Sequence, residues 1–91
     1  MEGGRGGEPG LLMKAKVYIM LKKGILDPQG KAIQQALQSL GCSELEEVRM
    51  GKYLEISMQN RSKPVAEREV REMCEKLLAN TVIEDYRFEI E

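Results

Sequence analysis

Three observations predict that this 91-residue chain folds as an α+β domain with an antiparallel sheet. Apolar and polar residues alternate from Lys14 to Leu21, which is typical of a strand with one buried face. Two later segments repeat their apolar residues at helical spacing, and further alternating runs lie between and after them. The resulting order, β-α-β-β-α-β, predicts the ferredoxin-like architecture, with two helices on one face of a four-stranded sheet.

The first helix is predicted from Pro28 to Leu40. Asp27 precedes it as an N-cap that accepts from free backbone N–H groups, and Pro28 presets the first helical φ. Gly41 supplies the left-handed residue that commonly ends a helix. Capping does not explain Gly30 in the first turn, since glycine costs roughly 0.5–1 kcal/mol there relative to alanine. A backbone or ligand that approaches Gly30 closely would explain it, and so would a tolerated surface glycine.

The other elements follow from the same patterns. Short alternating runs at 46–50 and 53–58 predict a hairpin whose turn is Gly51-Lys52. A second amphipathic helix begins at Pro64 and closes near Asn80, and a last strand spans Val82 to Ile90.

One face of the predicted sheet carries no helix. That face would hold Lys14, Lys16, Tyr18, Met20, Tyr53, Glu55 and Ser57. A face of this mixed character is either solvated or packed against a partner, so we expect dimerisation through the sheet.

Composition places the chain in the class of small globular domains. Half of the first ten residues are glycine, so residues 1–12 are interpreted as a disordered leader or cloning remnant, and 13–91 as a single domain. The net charge of −1 is spread along the chain, and no apolar run is long enough to span a membrane. We therefore expect a cytoplasmic protein that binds neither nucleic acid nor membranes and that gains stability by self-association.

The residue types also argue against a catalytic centre. The chain has no histidine, and its two cysteines, Cys42 and Cys74, are read as ordinary thiols. Glu84 and Asp85 would lie on opposite faces of a strand, and Asp27 is explained as a cap. No glycine-rich phosphate loop follows the first strand. We expect no catalytic, cofactor or metal site in this chain.

Three separated blocks of sequence carry a family resemblance. The blocks are LKKGILDPQGKAI from Leu21, VRMGK from Val48 and CEKLLANTVIEDY from Cys74. Together they resemble PurS, the small subunit of bacterial and archaeal phosphoribosylformylglycinamidine synthase, in an order and spacing that cover Met13 to Glu91.

The resemblance implies a non-catalytic subunit of a ligase complex in purine biosynthesis. Such a subunit bridges a glutaminase, which releases ammonia, and a large synthetase, which uses ATP and Mg. It forms a dimer or tetramer and assists ammonia transfer. The resemblance also suggests partner-interface residues, which are Gln29, Gly30, Arg49, Gly51, Lys52, Asn80, Glu84 and Tyr86. Ordinary structural explanations stay open for several of them: a turn at Gly51, a helix C-cap at Asn80, and solvated charges at Arg49 and Lys52.

Three other functions are compatible with the residues alone. Ferredoxin-like dimers often hold small molecules, so a small-molecule-sensing regulatory domain is one alternative. A small dimeric enzyme with a carboxylate or lysine base is another. Exposed Tyr18 and Tyr53 also leave RNA binding open, although the third strand lacks the usual aromatic motif.

Overall fold

The computed structural model describes residues 11–60 and 62–91, which form a three-stranded antiparallel sheet and two helices. The elements are β1 (Leu11–Leu21), α1 (Pro28–Ser39), β2 (Gly51–Asn60), α2 (Lys63–Met73), a π-helical segment (Cys74–Leu78) and β3 (Glu84–Ile90). The central strand is β1, with β2 and β3 on either side and antiparallel to it. The predicted α+β class and antiparallel sheet are confirmed.

One face of the sheet packs against α2 and forms the core. Val17 lies at the centre of this face, between its register partners Leu54 on β2 and Phe88 on β3. Ala15, Val17 and Ile19 of β1 are fully buried on this face. They form one cluster with Val70 of α2 and Cys74 of the π-helical segment. Period-two alternation therefore identified the buried side of β1 correctly.

The predicted leader overlaps the first strand. Residues 1–10 lie outside the described part of the chain, but β1 begins at Leu11, and residues 11 and 12 pair with Asn60 and Gln59. Residues 11 and 12 therefore belong to β1, because pairing with β2 extends the strand, and the leader and domain assignment otherwise remains a prediction.

The predicted hairpin was wrong. Residues 46–50 are irregular, and Gly51 and Lys52 begin β2 instead of forming a turn. Gly51 lies opposite Met20 in the β1–β2 register, where a Cβ would overlap the Met20 sulfur and lie 2.7 Å from the Ile19 carbonyl oxygen. Glycine is needed there because two strands approach closely. The sheet of the described residues consequently has three strands, not four.

The first helix forms where it was predicted but does not pack where it was expected. It begins at Pro28 with Asp27 as its N-cap, and Gly41 follows its C-terminus with a φ of 103°. Both helices were expected on one sheet face, yet α1 barely contacts the sheet. Among α1 residues only Gly30 is buried, because the helix makes few contacts with the sheet.

The second helix and last strand follow the prediction more closely. Ser62 caps α2 by accepting from the Val65 N–H, and the helix continues into the π-helical segment, whose last bond joins the Ala79 N–H to the Cys74 carbonyl oxygen. Residues 80–83 then form a turn, so β3 starts at Glu84, two residues later than predicted.

Candidate functional site

The Asp27 carboxylate joins the start of α1 to the segment that leads into β2. One oxygen accepts from the Gly30 N–H at 2.9 Å, and the other accepts from the Met50 N–H at 2.8 Å. The Met50 N–H, followed by the Gly30 N–H, lowers the pKa of Asp27. A carboxylate with both oxygens engaged and a lowered pKa is a poor general base, so the structure supports the capping role predicted for Asp27.

Gly30 has a local explanation in this corner. A Cβ at this position would overlap the carbonyl oxygen of Val48 and lie 2.7 Å from a carboxylate oxygen of Asp27. Of the two explanations that the sequence left open for Gly30, the structure supports a close approach, and the approaching group is the chain's own backbone. A contact between Gly30 and a partner protein remains a prediction.

Arg49 holds the other side of the same corner. Its Nη2 donates to the carbonyl oxygens of Leu21 at 2.9 Å and Lys22 at 3.2 Å, where β1 ends. Its Nη1 reaches Glu47 at 3.5 Å. Most of the Arg49 side chain is covered, so it is not the ordinary solvated charge that the sequence left open. Asp27, Gly30 and Arg49 together form what we call the corner.

A second polar group lies at the same end of the sheet. Glu84 accepts from the Asn80 N–H at 2.7 Å, and Lys52 lies 3.6 Å from the other Glu84 oxygen. Only 14% of the Glu84 side chain is exposed. The Asn80 side chain accepts from the Val82 N–H, so Asn80 organises the turn before β3.

Two clefts flank Asp27. The smaller has a volume of about 240 Å³ and is lined by Ile19, Leu21, Asp27, Gln29, Met50, Gly51, Lys52 and Glu84. The larger has a volume of about 580 Å³ and is lined by Gly24, Ile25, Leu26, Asp27, Lys31, Gln34, Glu46, Glu47, Val48 and Arg49. Most of the predicted interface residues thus converge on one end of the sheet.

Sequence reasoning missed part of the larger cleft, and the structure adds a contact for Tyr86. Gln34 of α1 donates to the Glu46 carbonyl oxygen at 3.4 Å, a contact hidden when 46–50 was assigned to a strand. Tyr86 lies on the helix-covered face of β3, in register with Ile19 of β1, and its place in a partner interface remains a prediction. Its hydroxyl donates to Glu75 at 2.6 Å, and this bond raises the pKa of Tyr86 to about 12.

The sheet face without helices is rich in paired charges. The Tyr18 and Tyr53 ring centroids are 5.1 Å apart, and the Arg87 guanidinium lies 3.9 Å from the Tyr18 centroid. Tyr53 donates to Glu55 at 2.7 Å, and Lys16 pairs with the terminal Glu91 at 2.8 Å. Since Arg87 already covers one side of Tyr18, this arrangement favours a solvated or partner-facing surface over base stacking.

The described residues were also searched for reactive thiols, metal-binding clusters and membrane-spanning helices. Burial raises the pKa of the Cys74 thiol, which disfavours its reactive thiolate, and Cys42 is exposed. Within 11–60 and 62–91, no three Cys, Asp or Glu side chains cluster in a way that would hold a metal ion. No helix in that part of the chain is long and apolar enough to cross a membrane.

The chain is similar in sequence to one protein family and to its characterised members. Residues 14–91 match the family model described as PurS, phosphoribosylformylglycinamidine (FGAM) synthase. The PurS subunit of Bacillus subtilis FGAM synthase is 52% identical over 80 residues, which cover 88% of this chain and 94% of the relative.

Two solved structures are similar to the described fold. PurS of Methanocaldococcus jannaschii, described as a subunit of formylglycinamide ribonucleotide amidotransferase in the purine biosynthetic pathway, has a TM-score of 0.77 and 46% identity over 87% of this chain and 95% of that one. A chain of the PurLQS structure from Thermotoga maritima has a TM-score of 0.81 and 26% identity, over 89% of this chain and 99% of that one.

Proposed function

Because this chain belongs to the PurS family of FGAM synthase subunits in purine biosynthesis, we propose that it bridges the glutaminase and synthetase subunits of that complex. In this role it assists ammonia transfer during the ATP- and glutamine-dependent conversion of formylglycinamide ribonucleotide to formylglycinamidine ribonucleotide. The observation that carries the proposal is the family match over 14–91, which takes in nearly all of the described domain. The T. maritima relative is part of a PurLQS structure, which supports a subunit role here.

The geometry of the corner agrees with a contact role. Asp27 has both oxygens occupied, and Arg49 and Glu84 are engaged with backbone groups, so these side chains shape a surface instead of performing proton transfer. Gln29, Lys52 and Asn80 are exposed at this end of the sheet and are the side chains we expect a partner to touch. Such a contact would hold two active sites in register and exclude water from the ammonia path.

The proposal also covers cofactors, cellular location and self-association. ATP and Mg are bound by the synthetase partner, and this chain contributes no cofactor. The complex works in the cytoplasm, and the chain self-associates as a dimer or tetramer through its sheet. The family match does not favour the alternative of a small-molecule-sensing regulatory domain.

Reconstitution with its two partners tests the bridging role. The glutaminase and synthetase are assayed for product formation with and without this chain, using either glutamine or ammonium salt as the nitrogen source. We expect omission to reduce the glutamine-dependent rate strongly and to leave the ammonium-dependent rate little changed, since free ammonia needs no bridge. Equal glutamine-dependent rates with and without the chain would refute the role.

The interface candidates are tested in the same assay. Lys52→Ser changes an exposed partner of Glu84, and the matched control Lys76→Ser changes an exposed lysine on the π-helical segment that also pairs with a carboxylate. We expect the Lys52 variant alone to need a higher concentration for half-maximal glutamine-dependent activity. Equal behaviour of the two variants would exclude Lys52 from the interface.

A further inference from the structure

Leu26 is an exposed apolar side chain on the turn between β1 and α1. It is 77% exposed and directly precedes Asp27, the N-cap of α1. An apolar residue at this position commonly packs on the fourth residue of the helix, but the fourth residue here is Lys31. Leu26 therefore lacks the contact within its own chain that its position usually provides.

The turn that carries Leu26 is held by hydrogen bonds on both sides. Before it, the Lys22 carbonyl oxygen accepts from the Ile25 N–H at 3.1 Å and from Arg49 at 3.2 Å. After it, the Asp27 carboxylate accepts two backbone N–H groups. A side chain on an ordered backbone gives up little conformational freedom when it binds, so Leu26 is suited to anchor a contact.

Leu26 lines the larger cleft, which has a volume of about 580 Å³. Ile25 and Val48 add half-buried apolar surface to the same cleft. Lys31 on α1 and Glu46 on the segment before β2 are exposed and line it with opposite charges. Within 11–60 and 62–91, neither of these two side chains has a hydrogen bond or an ion pair. The cleft thus combines an apolar anchor with one unpaired cation and one unpaired anion.

The two clefts beside Asp27 lie on opposite sides of α1. Successive residues of an α-helix are about 100° apart around its axis, which places Gln29 roughly 160° from Lys31 and roughly 140° from Gln34. Gln29 lines the smaller cleft, whereas Lys31 and Gln34 line the larger one. Of the described residues, Asp27 alone lines both clefts. A single partner surface therefore faces one cleft or the other.

We propose that the larger cleft docks one partner subunit of the complex through Leu26, and that the smaller cleft, with Lys52, contacts the other subunit. This inference rests on the proposed bridging function, because a bridge needs two surfaces that two different proteins occupy together. The subunit at the larger cleft presents an apolar pocket to Leu26, a basic side chain to Glu46 and an acidic side chain to Lys31. Its contact has a buried apolar centre and a charged rim.

Photo-crosslinking in the complete complex tests this assignment. Leu26→Cys and Lys52→Cys are each made in a Cys42→Ser chain and labelled with benzophenone maleimide, from which Cys74 is protected by burial. Each labelled chain is assembled with the glutaminase and the synthetase and irradiated, and the crosslinked subunit is identified by mass spectrometry. We expect the label at Leu26 to reach one partner subunit and the label at Lys52 to reach the other. A matched label on Leu12→Cys should reach neither partner.

Three crosslinking results would overturn the assignment. The first is that the labels at Leu26 and Lys52 reach the same partner subunit. The second is that the label at Leu26 reaches a second copy of this chain and no partner. The third is that either label fails to reach a partner in a complex that has assembled.

An affinity measurement without labels tests the same anchor. Leu26→Ser removes the apolar side chain, and Leu12→Ser is the matched control, because Leu12 is 75% exposed at the opposite end of β1. We expect Leu26→Ser to raise about tenfold the chain concentration that gives half-maximal glutamine-dependent activity, as loss of one buried leucine predicts. Leu12→Ser should leave that concentration unchanged, and both variants should melt like the native chain. Equal half-maximal concentrations, or a lower melting temperature for Leu26→Ser alone, would count against the anchor.

Failure of this inference is distinguishable from failure of the bridging role. Equal glutamine-dependent rates with and without the chain would refute the bridge itself. A chain that is required for the glutamine-dependent rate, but whose Leu26→Ser variant behaves like the native chain, would overturn the docking assignment alone.

Discussion

Replacing Gly30 with alanine distinguishes a packed corner from an ordinary glycine in a helix. At an open position in the first turn of α1, alanine would stabilise the protein by about 0.5–1 kcal/mol, because it restricts the unfolded chain and favours the helix. In this structure the added Cβ would overlap the Val48 carbonyl oxygen, which is backbone and cannot rotate away. The sign of the stability change is therefore diagnostic.

The magnitude follows from two opposing contributions. Forcing a methyl group into a filled position costs about 1–3 kcal/mol, and the helix preference of alanine offsets about 0.5–1 kcal/mol of it. The expected net loss is about 1 kcal/mol. For a domain of this size, that loss lowers the melting temperature by about 4–8 °C.

Circular dichroism during thermal unfolding measures the change at one fixed protein concentration, since self-association would otherwise shift the midpoint. Gln35→Ala is the matched control, because Gln35 is exposed on the same helix and its substitution should change stability by less than about 0.5 kcal/mol.

A higher melting temperature for Gly30→Ala than for the native chain would refute the packed corner.

A second measurement with the same variant tests the predicted partner contact at Gly30. Weaker assembly with the glutaminase and synthetase at unchanged melting temperature would place a partner there, whereas parallel losses of both would assign the glycine to internal packing.

Three further substitutions test contacts of the corner and of β3. Asp27→Asn should lower the melting temperature by a few degrees at neutral pH. Because folding lowers the Asp27 pKa from 3.8, its stabilisation holds above that value and is lost as pH falls below it, so the native and variant curves should converge in acid. Arg49→Ala should cost about 1–3 kcal/mol in urea unfolding, because it removes the guanidinium donor from the Leu21 and Lys22 carbonyl oxygens, of which the Lys22 oxygen keeps its bond from the Ile25 N–H; Lys76→Ala should cost under about 0.5 kcal/mol. Tyr86→Phe should cost about 1 kcal/mol and remove one tyrosinate transition near pH 12 from the ultraviolet titration; loss of a transition near pH 10 instead would contradict the bond to Glu75.

Local sequence patterns predicted the structure correctly where the conformation of a segment depends on that segment alone. The N-cap of Asp27, the start at Pro28 and the left-handed Gly41 after α1 all follow from interactions within a few residues. The buried face of β1 follows from strict alternation. Such features depend on short-range geometry, so they can be predicted without knowledge of tertiary contacts.

The failed hairpin shows where local patterns mislead. Residues 46–50 alternate like a strand, but backbone and side-chain bonds to Asp27 and to the end of β1 hold them in an irregular path. Gly51 looked like a turn residue because glycine serves both turns and close strand approaches, and only its position opposite Met20 separates the two.

The α+β class and the start of α1 at Pro28 follow from the sequence alone, which left a close approach and a tolerated surface glycine as two explanations of Gly30. The tertiary structure decided that the approaching group is the chain's own Val48 carbonyl, that the sheet of the described residues has three strands, and that α1 turns away from it. The physical reason is the range of the interactions. Capping and periodicity act within one or two turns, whereas the corner joins Asp27 to residues about 20 positions away, and no local pattern encodes that contact.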